Sequence, residues 1–392
     1  MMMNGGKKSF ACWAACLSGL IGETVSKQAI FGRMTVAWVN VCKQLLHRSI
    51  SKQIEKGVNQ KLFTKFKRVW IQDSTSLALP TILRSVFPGN YSLGQQKSVA
   101  KVNIVIDLIT GMCPLLNIVP FTVNEQKLSN DIFAIARSGD LVIRDLGYFV
   151  TDTFRKMLAA NIFFLSRYRY GVSLFDSKTL GKINLEKELS GKLSVDKIFL
   201  LGHEHKVPVR LVAIKLNECQ AAERIRKAKK DRDKRLNHSK EYYVLLGYII
   251  FITTVGACIW THEQVAQAYR SRWNIEILFK SWKSGFNITE LIPHAYTRTE
   301  RVESILYLLM LFLTLFNAFI WQPLKWEIKE MWGKNISLLK TIAYLNVDLM
   351  KWWNNPVDWK DKKLIAYHCC YEKRNDRLNA DQRLELFFNP LA

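Results

Sequence analysis

The sequence predicts an α/β protein, and three observations carry that reading. Apolar runs that alternate like strands recur between Arg68 and Gly171, with helix-forming stretches between them. Two of the strands, "VWIQD" and "LVIRD", end alike: Val69 and Ile71, or Leu141 and Ile143, share a face with an acid at the C-terminal end, Asp73 or Asp145. The chain has 392 residues, 49% of them hydrophobic, enough to bury a large core across two or three domains.

Taken in order, Phe10 to Ile54 is helical in pattern. Within it "GETVSKQAIFGRMTVAWVNVC" resembles a helix-turn-helix, with Ser26, Lys27, Gln28 and Arg33 leading the recognition helix. "RVWIQDSTSLAL" reads as a strand. "KVNIVIDLITG" and "CPLLNIVPFTV" read as two more, joined by a turn at Gly111. The helix "EQKLSNDIFAIA", the strand "DLVIRDLGYF", the helix "TDTFRKMLAA" and the strand "IFFLSRYRYG" follow. A further strand-rich region occupies about Gly171 to Trp260. It is interrupted by the exposed run Ala222 to Lys240, in which nine Lys/Arg face three acids.

Two apolar runs, Tyr242–Trp260 and Ile305–Trp321, reach the lower edge of a membrane span. The first is β-branched and broken by Gly247 and Gly256, which suits buried strands; the second, holding Thr314 and Asn317, suits a helix buried on all sides. Neither is read as a membrane segment. The net charge of +24 points instead to a polyanion. The eight cysteines show neither zinc spacing nor a disulfide framework, and a reducing cytoplasm is expected. "HEH" at His203–His205 imitates a metal site but lacks a third ligand and reads as strand surface.

The segment "AYRSRWNIEILFKSWKSGF", Ala268 to Phe286, reads as one helix. At about 100° per residue, Tyr269, Arg272, Glu276 and Lys283 fall in one stripe roughly 60° wide. That stripe borders the apolar face of Ile275, Leu278, Phe279, Trp282 and Phe286, as the wall of a cleft would. The plainer alternative is an Arg272–Glu276 pair at i,i+4, worth a few tenths of a kcal/mol. Open α/β sheets place sites at the carboxyl ends of strands, so Asp73 and Asp145 converge if their strands are neighbours, and Glu276 completes three carboxylates. Such a cluster repels itself unless hard divalent cations, roughly 3.5–4 Å apart, relieve it.

The acid order Asp73, Asp145, Glu276, with "DST", "RDLGYF" and Y-x2-R-x3-E-x6-K around them, resembles the DDE transposases of bacterial insertion sequences. More narrowly it is similar to the insertion-sequence-four family, over roughly Arg68 to Lys325. The resemblance implies a ribonuclease-H-like mixed-sheet catalytic core with a β-rich insertion subdomain, plus helical N-terminal and C-terminal regions. The implied boundaries are a DNA-binding region at 1–66, the first part of the core at 67–170, the insertion at 171–260, the rest of the core at 261–330 and a C-terminal region at 331–392. It also implies two Mg²⁺ ions, replaceable by Mn²⁺, on Asp73, Asp145 and Glu276, and cutting of element ends followed by joining of the 3′-hydroxyl to target DNA. Tyr269, Arg272 and Lys283 would clamp the DNA phosphates.

Two further residues invite a DNA role. Arg167 suits a phosphate or a structural ion pair, and Trp260 suits an unstacked base or the core. The expected partner is double-stranded DNA, both element ends and target, bound by a homodimer without a membrane, in the cytoplasm at the nucleoid. A nuclease of the same core without strand transfer, and an inactive DNA-binding relic, remain alternatives. The start "MMMNGGKKSF" runs directly into an apolar helix, as if an upstream part of the N-terminal region were missing.

Overall fold

The structure, a computed structural model, describes residues 10–51, 61–92, 94–230, 239–286, 298–347 and 357–371. Among these, the strands are β1 Val69–Leu79, β2 Pro88–Ser92, β3 Gln95–Asp107, β4 Leu115–Pro120, β5 Leu141–Arg144, β6 Phe163–Arg167, β7 Leu174–Asp176, β8 Ser194–Leu201, β9 Val207–Lys215 and β10 Tyr248–Thr253. The helices up to Lys280 are α1 Phe10–Ile21, α2 Lys27–Arg33, α3 Val36–Ser51, α4 Thr151–Ala159, α5 Leu185–Leu189, α6 Glu218–Lys229, α7 Lys240–Leu245, α8 His262–Arg270 and α9 Trp273–Lys280. The chain divides into a sheet unit, Asn59–Gln72 with Asn124–Arg272, and a helix-rich unit, Met1–Val58 with Asp73–Val123 and Trp273–Ala392.

In the sheet unit the first residues of β1 run parallel to β5, Val69 opposite Leu141 and Gln72 opposite Arg144. β5 runs parallel to β6, with α4 as the crossover that a parallel pair requires. Val69, Trp70 and Ile71 of β1 and Leu141, Val142 and Ile143 of β5 are buried, the apolar signature of strands covered on both faces. Beyond β6 the pairing turns antiparallel through β10, β9, β8 and β7. The mixed α/β sheet expected from the sequence is therefore the fold observed, and the strand-rich region after Gly171 extends that sheet.

Several local expectations need correction. The apolar run from Tyr242 is a strand only over β10; its first residues belong to α7, because the Ser239 hydroxyl accepts from Tyr242 N at 3.2 Å and caps a helix there. "EQKLSNDIFAIA" forms a 3₁₀ helix, Lys127–Ala134, not an α-helix. The strand "DLVIRDLGYF" stops at Arg144 and continues as a short 3₁₀ turn, Leu146–Tyr148. "HEH" lies in the turn between β8 and β9, not on a strand. In the charged run, α6 ends at Lys229, Arg226 pairs with Glu223 at 2.7 Å, and Arg224 Nη1 donates to the Tyr248 carbonyl at 2.8 Å. The remainder of that run, 231–238, lies outside the described residues.

In the helix-rich unit the pattern Phe10–Ile54 is realised as α1, α2 and α3. The chain leaves α1 through Gly22 at φ +74, and Ser26 caps α2 by accepting from Ala29 N at 3.1 Å. β3 pairs antiparallel with β2 along its first half and with β4 along its second. β2 was not legible beforehand: it opens on Pro88-Gly89, a turn signal, which a strand tolerates at its first residue. The β3–β4 turn falls at Gly111 as expected. Gly111 has φ +71, the left-handed region that favours glycine, and a Cβ there would have to displace the terminal amide of the Gln322 side chain.

The run Thr299–Trp332 is the one helical stretch among the described residues long and apolar enough to cross a membrane. Its most apolar part is largely turned inward, with Val302, Ile305, Leu306, Leu309, Met310 and Leu313 buried. Its middle, Phe316–Trp321, widens into a π-helical turn that directs Asn317 Nδ2 to the Gly111 carbonyl at 2.9 Å. Phe319 is 60% exposed, so the helix is not buried on all sides as the sequence suggested.

Candidate catalytic site

The sheet unit gathers four of the sequence-predicted site residues, Asp145, Arg167, Tyr269 and Arg272. Asp145 follows the last residue of β5 in an extended conformation, and its side chain makes no cap bond to the 3₁₀ turn after it. The carboxylate is thus left for other partners. Tyr269 Oη donates to Asp145 Oδ1 at 3.2 Å, and Arg167 Nη2, at the end of neighbouring β6, stands 4.0 Å from the same oxygen. Among the described residues Asp145 Oδ2 accepts no hydrogen bond, and the side chain is 36% exposed, open to a ligand.

Tyr269 is held on every side. It lies in the last turn of α8, whose start is fixed by a reciprocal capping box between Thr261 and Gln264, worth about 1 kcal/mol. The Phe251 ring of β10 lies 5.2 Å from its ring, and the Arg272 guanidinium stands over it at 5.7 Å. Burial, reinforced by the negative Asp145 and opposed by Arg272 and Arg167, pushes the phenol up to about 12. It is therefore protonated at neutral pH and able to donate to Asp145.

The single helix expected over Ala268–Phe286 is not formed. α8 ends at Arg270, where Ser271 N and Arg272 N bond back three residues to Ala268 and Tyr269 (3.2 and 3.1 Å) and tighten the last turn. α9 begins anew at Trp273, and Ser281–Gly285 winds as a π-helical turn. The continuous rotation behind the polar stripe therefore fails at two points. Glu276 is exposed on α9 and Lys283 is exposed in the π turn, both in the helix-rich unit. Asp73, half-buried in β1, belongs to that unit as well, and its Oδ1 accepts from Ser74 N at 2.8 Å.

Trp260 requires a plain correction. It is 1% exposed, its indole N–H donates to the Leu62 carbonyl at 2.9 Å, and Phe63 and Phe66 pack edge-on at 6.0 and 5.2 Å. It is a core residue of the sheet unit with no face free for a base. Two residues that the sequence reading passed over also border the site. Arg144 and Gln72, fully buried, immediately precede Asp145 and Asp73. Their signal was faint: a cation and an amide inside strands otherwise apolar.

Carboxylates are the right donors for a hard divalent cation, and the open oxygen of Asp145 fits one. Among the described residues, however, no group of three His, Cys, Asp or Glu side chains stands close enough together to hold a metal ion.

Residues 64–315, well over half of the chain, match the family described as "Transposase DDE domain". The chain belongs to the DDE transposases, a class of enzymes that act on DNA and depend on divalent metal. Among its relatives is the transposase for insertion sequence element IS231F of Bacillus thuringiensis subsp. israelensis, 27% identical over 84% of this chain and 72% of that one. The transposase for IS1151 of Clostridium perfringens is 27% identical over 85% of this chain and 74% of that one. The resemblance to insertion-sequence-four transposases holds on this ground. A solved structure, the piggyBac transposase synaptic complex with hairpin DNA, overlaps 88% of this chain and 64% of that one at TM-score 0.46 and 9% identity.

Proposed function

We propose that this protein excises an insertion sequence by cutting DNA at the element ends and then joins the freed 3′-hydroxyls to target DNA. The observation that supports this most is the open Asp145 carboxylate at the end of β5, in a family-matched segment, with a protonated phenol and an arginine on one of its oxygens. Asp73, Asp145 and Glu276 are the acids that would hold two Mg²⁺ ions, with Mn²⁺ as a substitute. Held there, such ions would supply Lewis-acid activation of the attacking hydroxyl and charge stabilisation for the leaving oxygen of the phosphodiester.

The rest falls to the chain's own side chains. Tyr269 orients the Asp145 carboxylate by donating to Oδ1, and Arg272 steadies Tyr269 from above its ring. Arg167 presents its guanidinium beside the carboxylate, where a DNA phosphate would meet it. Lys283 supplies a further cation for the backbone. Residues 1–66 are assigned to DNA-end binding, 67–170 and 261–330 to the catalytic core, 171–260 to its inserted part and 331–392 to a C-terminal region. A homodimer on DNA would bring two ends together, in the cytoplasm at the nucleoid and away from any membrane.

The test uses duplexes taken from the DNA flanking the gene. The full chain with Mg²⁺ should release the end and then join it to a second duplex. Release without joining would reduce the protein to a nuclease, and binding without release would leave only a DNA-binding relic.

A further inference from the structure

Arg144 stands directly before Asp145 and is 0% exposed. The two-residue period of a strand turns it to the sheet face opposite Asp145, so it acts on the acid only through the backbone. Its Nη1 donates to Ser129 Oγ at 2.7 Å, and its Nη2 donates to Gln72 Oε1 at 2.6 Å and to the Ser129 carbonyl at 3.1 Å. Gln72, equally buried, donates through Nε2 to the Leu128 carbonyl at 2.9 Å. Since Gln72 is also the register partner of Arg144, side chains lock the β1–β5 pair where the ladder has just ended.

The arrangement is costly. Every acceptor of the guanidinium is neutral, the Tyr148 ring lies 5.9 Å away, and Nε has no hydrogen-bond partner among the described residues. A buried cation without a carboxylate is unfavourable, and a well-packed apolar side chain commonly replaces one at no loss of stability. Stability alone does not account for an arginine here. What it does achieve is geometric: it joins Gln72, Arg144 and the 3₁₀ helix Lys127–Ala134 into one rigid piece, at the two residues that immediately precede Asp73 and Asp145 in the chain.

We propose that Arg144 is a positioning residue, a clamp between Gln72 and Ser129 that sets where β5 delivers the Asp145 carboxylate. The inference rests on Asp145 being a catalytic acid. It makes a prediction opposite in sign to a purely electrostatic role. A buried positive charge acting through space would repel a cation from Asp145, so its removal would tighten metal binding. Loss of a clamp weakens it.

The experiment compares full-length Arg144→Met and Arg144→Lys with the native chain in three measurements: circular dichroism, Mn²⁺ binding followed by electron paramagnetic resonance without DNA, and cleavage of the flanking-DNA duplex. Arg144→Met should fold, bind Mn²⁺ about 10-fold more weakly and cleave about 10- to 100-fold more slowly, the range typical of residues that orient metal ligands. Arg144→Lys, still able to donate to Gln72 and Ser129, should recover most of both. Unchanged or tighter Mn²⁺ binding by Arg144→Met, or equal behaviour of the two variants, overturns the clamp. If Arg144→Met does not fold, Ser129→Ala removes one acceptor and should show a smaller loss of the same sign; native Mn²⁺ binding and cleavage there overturn it too. An Asp145→Ala control separates the two levels. Normal cleavage by that control removes the acid assignment beneath the inference, whereas a dead control beside a native-like Arg144→Met removes the clamp alone.

Discussion

Arg144 and Arg167 end neighbouring parallel strands, β5 and β6, yet they meet opposite surroundings. Arg144 is sealed in the sheet and bonded to neutral acceptors, whereas Arg167 has a side chain 37% exposed and stands 4.0 Å from the Asp145 carboxylate. Residue type is the same; the sheet face decides the role. The buried arginine commits its terminal nitrogens to neutral acceptors of the fold, whereas the open one stands beside a carboxylate. Burial leaves the same mark on the titration: desolvation pulls Arg144 down to about 9, against a smaller opposing influence of Tyr148, which still leaves it charged at neutral pH.

The sharpest way to break this division is at the acid between the two arginines. On the proposed assignment of this acid to chemistry and not grip, Asp145→Ala should lower cleavage by about 10³-fold or more while binding to the flanking-DNA duplex stays within a few-fold. Retained Mg²⁺-dependent cutting would end the assignment of the open face to catalysis.

Trp260 probes the sealed side. Trp260→Ala should cost about 3–5 kcal/mol in urea unfolding, with DNA affinity of the folded fraction unchanged. A protein of native stability with weakened DNA binding would put Trp260 back among the nucleotide contacts. On the open side, Arg167→Ala should flatten the salt dependence of DNA affinity by about 0.9 in slope; an unaltered slope would mean the guanidinium is only the partner of Asp145.

Tyr269→Phe is the smallest change, since it removes one hydrogen bond worth about 1 kcal/mol. Its pH signature is nonetheless specific. The folded value of the phenol, about 12, lies above the ordinary value of 10, so its contribution to stability is complete below pH 10 and is lost as pH rises toward 12. Tyr168 and Tyr307 are pushed up to about 12 by burial in the same way. The alkaline fall in stability should therefore become shallower in Tyr269→Phe without vanishing. A fall identical to the native one would show that the fold does not raise this phenol above its ordinary value.

Much of the fold could be read beforehand because local signals and burial agreed. β1, β5 and β6 each open on a run of apolar residues, and the turn at Gly111 sits where a positive φ favours glycine. Reading failed where one sequence serves two periods. The run from Ala268 fits a 3.6-residue repeat throughout, yet the backbone bonds of Ser271 and Arg272 tighten into a three-residue repeat, and Ser281–Gly285 loosens into a wider one. The run from Tyr242 is apolar enough for a strand, but one serine cap converts its opening into a helix.

By itself the sequence determined the class of fold and the family, and it nominated the side chains proposed for cutting DNA. Residue type and spacing carry those, and both are local properties of the chain. Only the tertiary structure decided which of the candidates stand together and which are sealed away. Trp260 went to the core, Arg167 to the carboxylate and Arg144 to Gln72 across a strand pair. Such choices depend on burial and on partners as many as 198 residues apart, as for Trp260 and Leu62. No periodicity along a single strand or helix encodes a partner that the chain reaches only by folding.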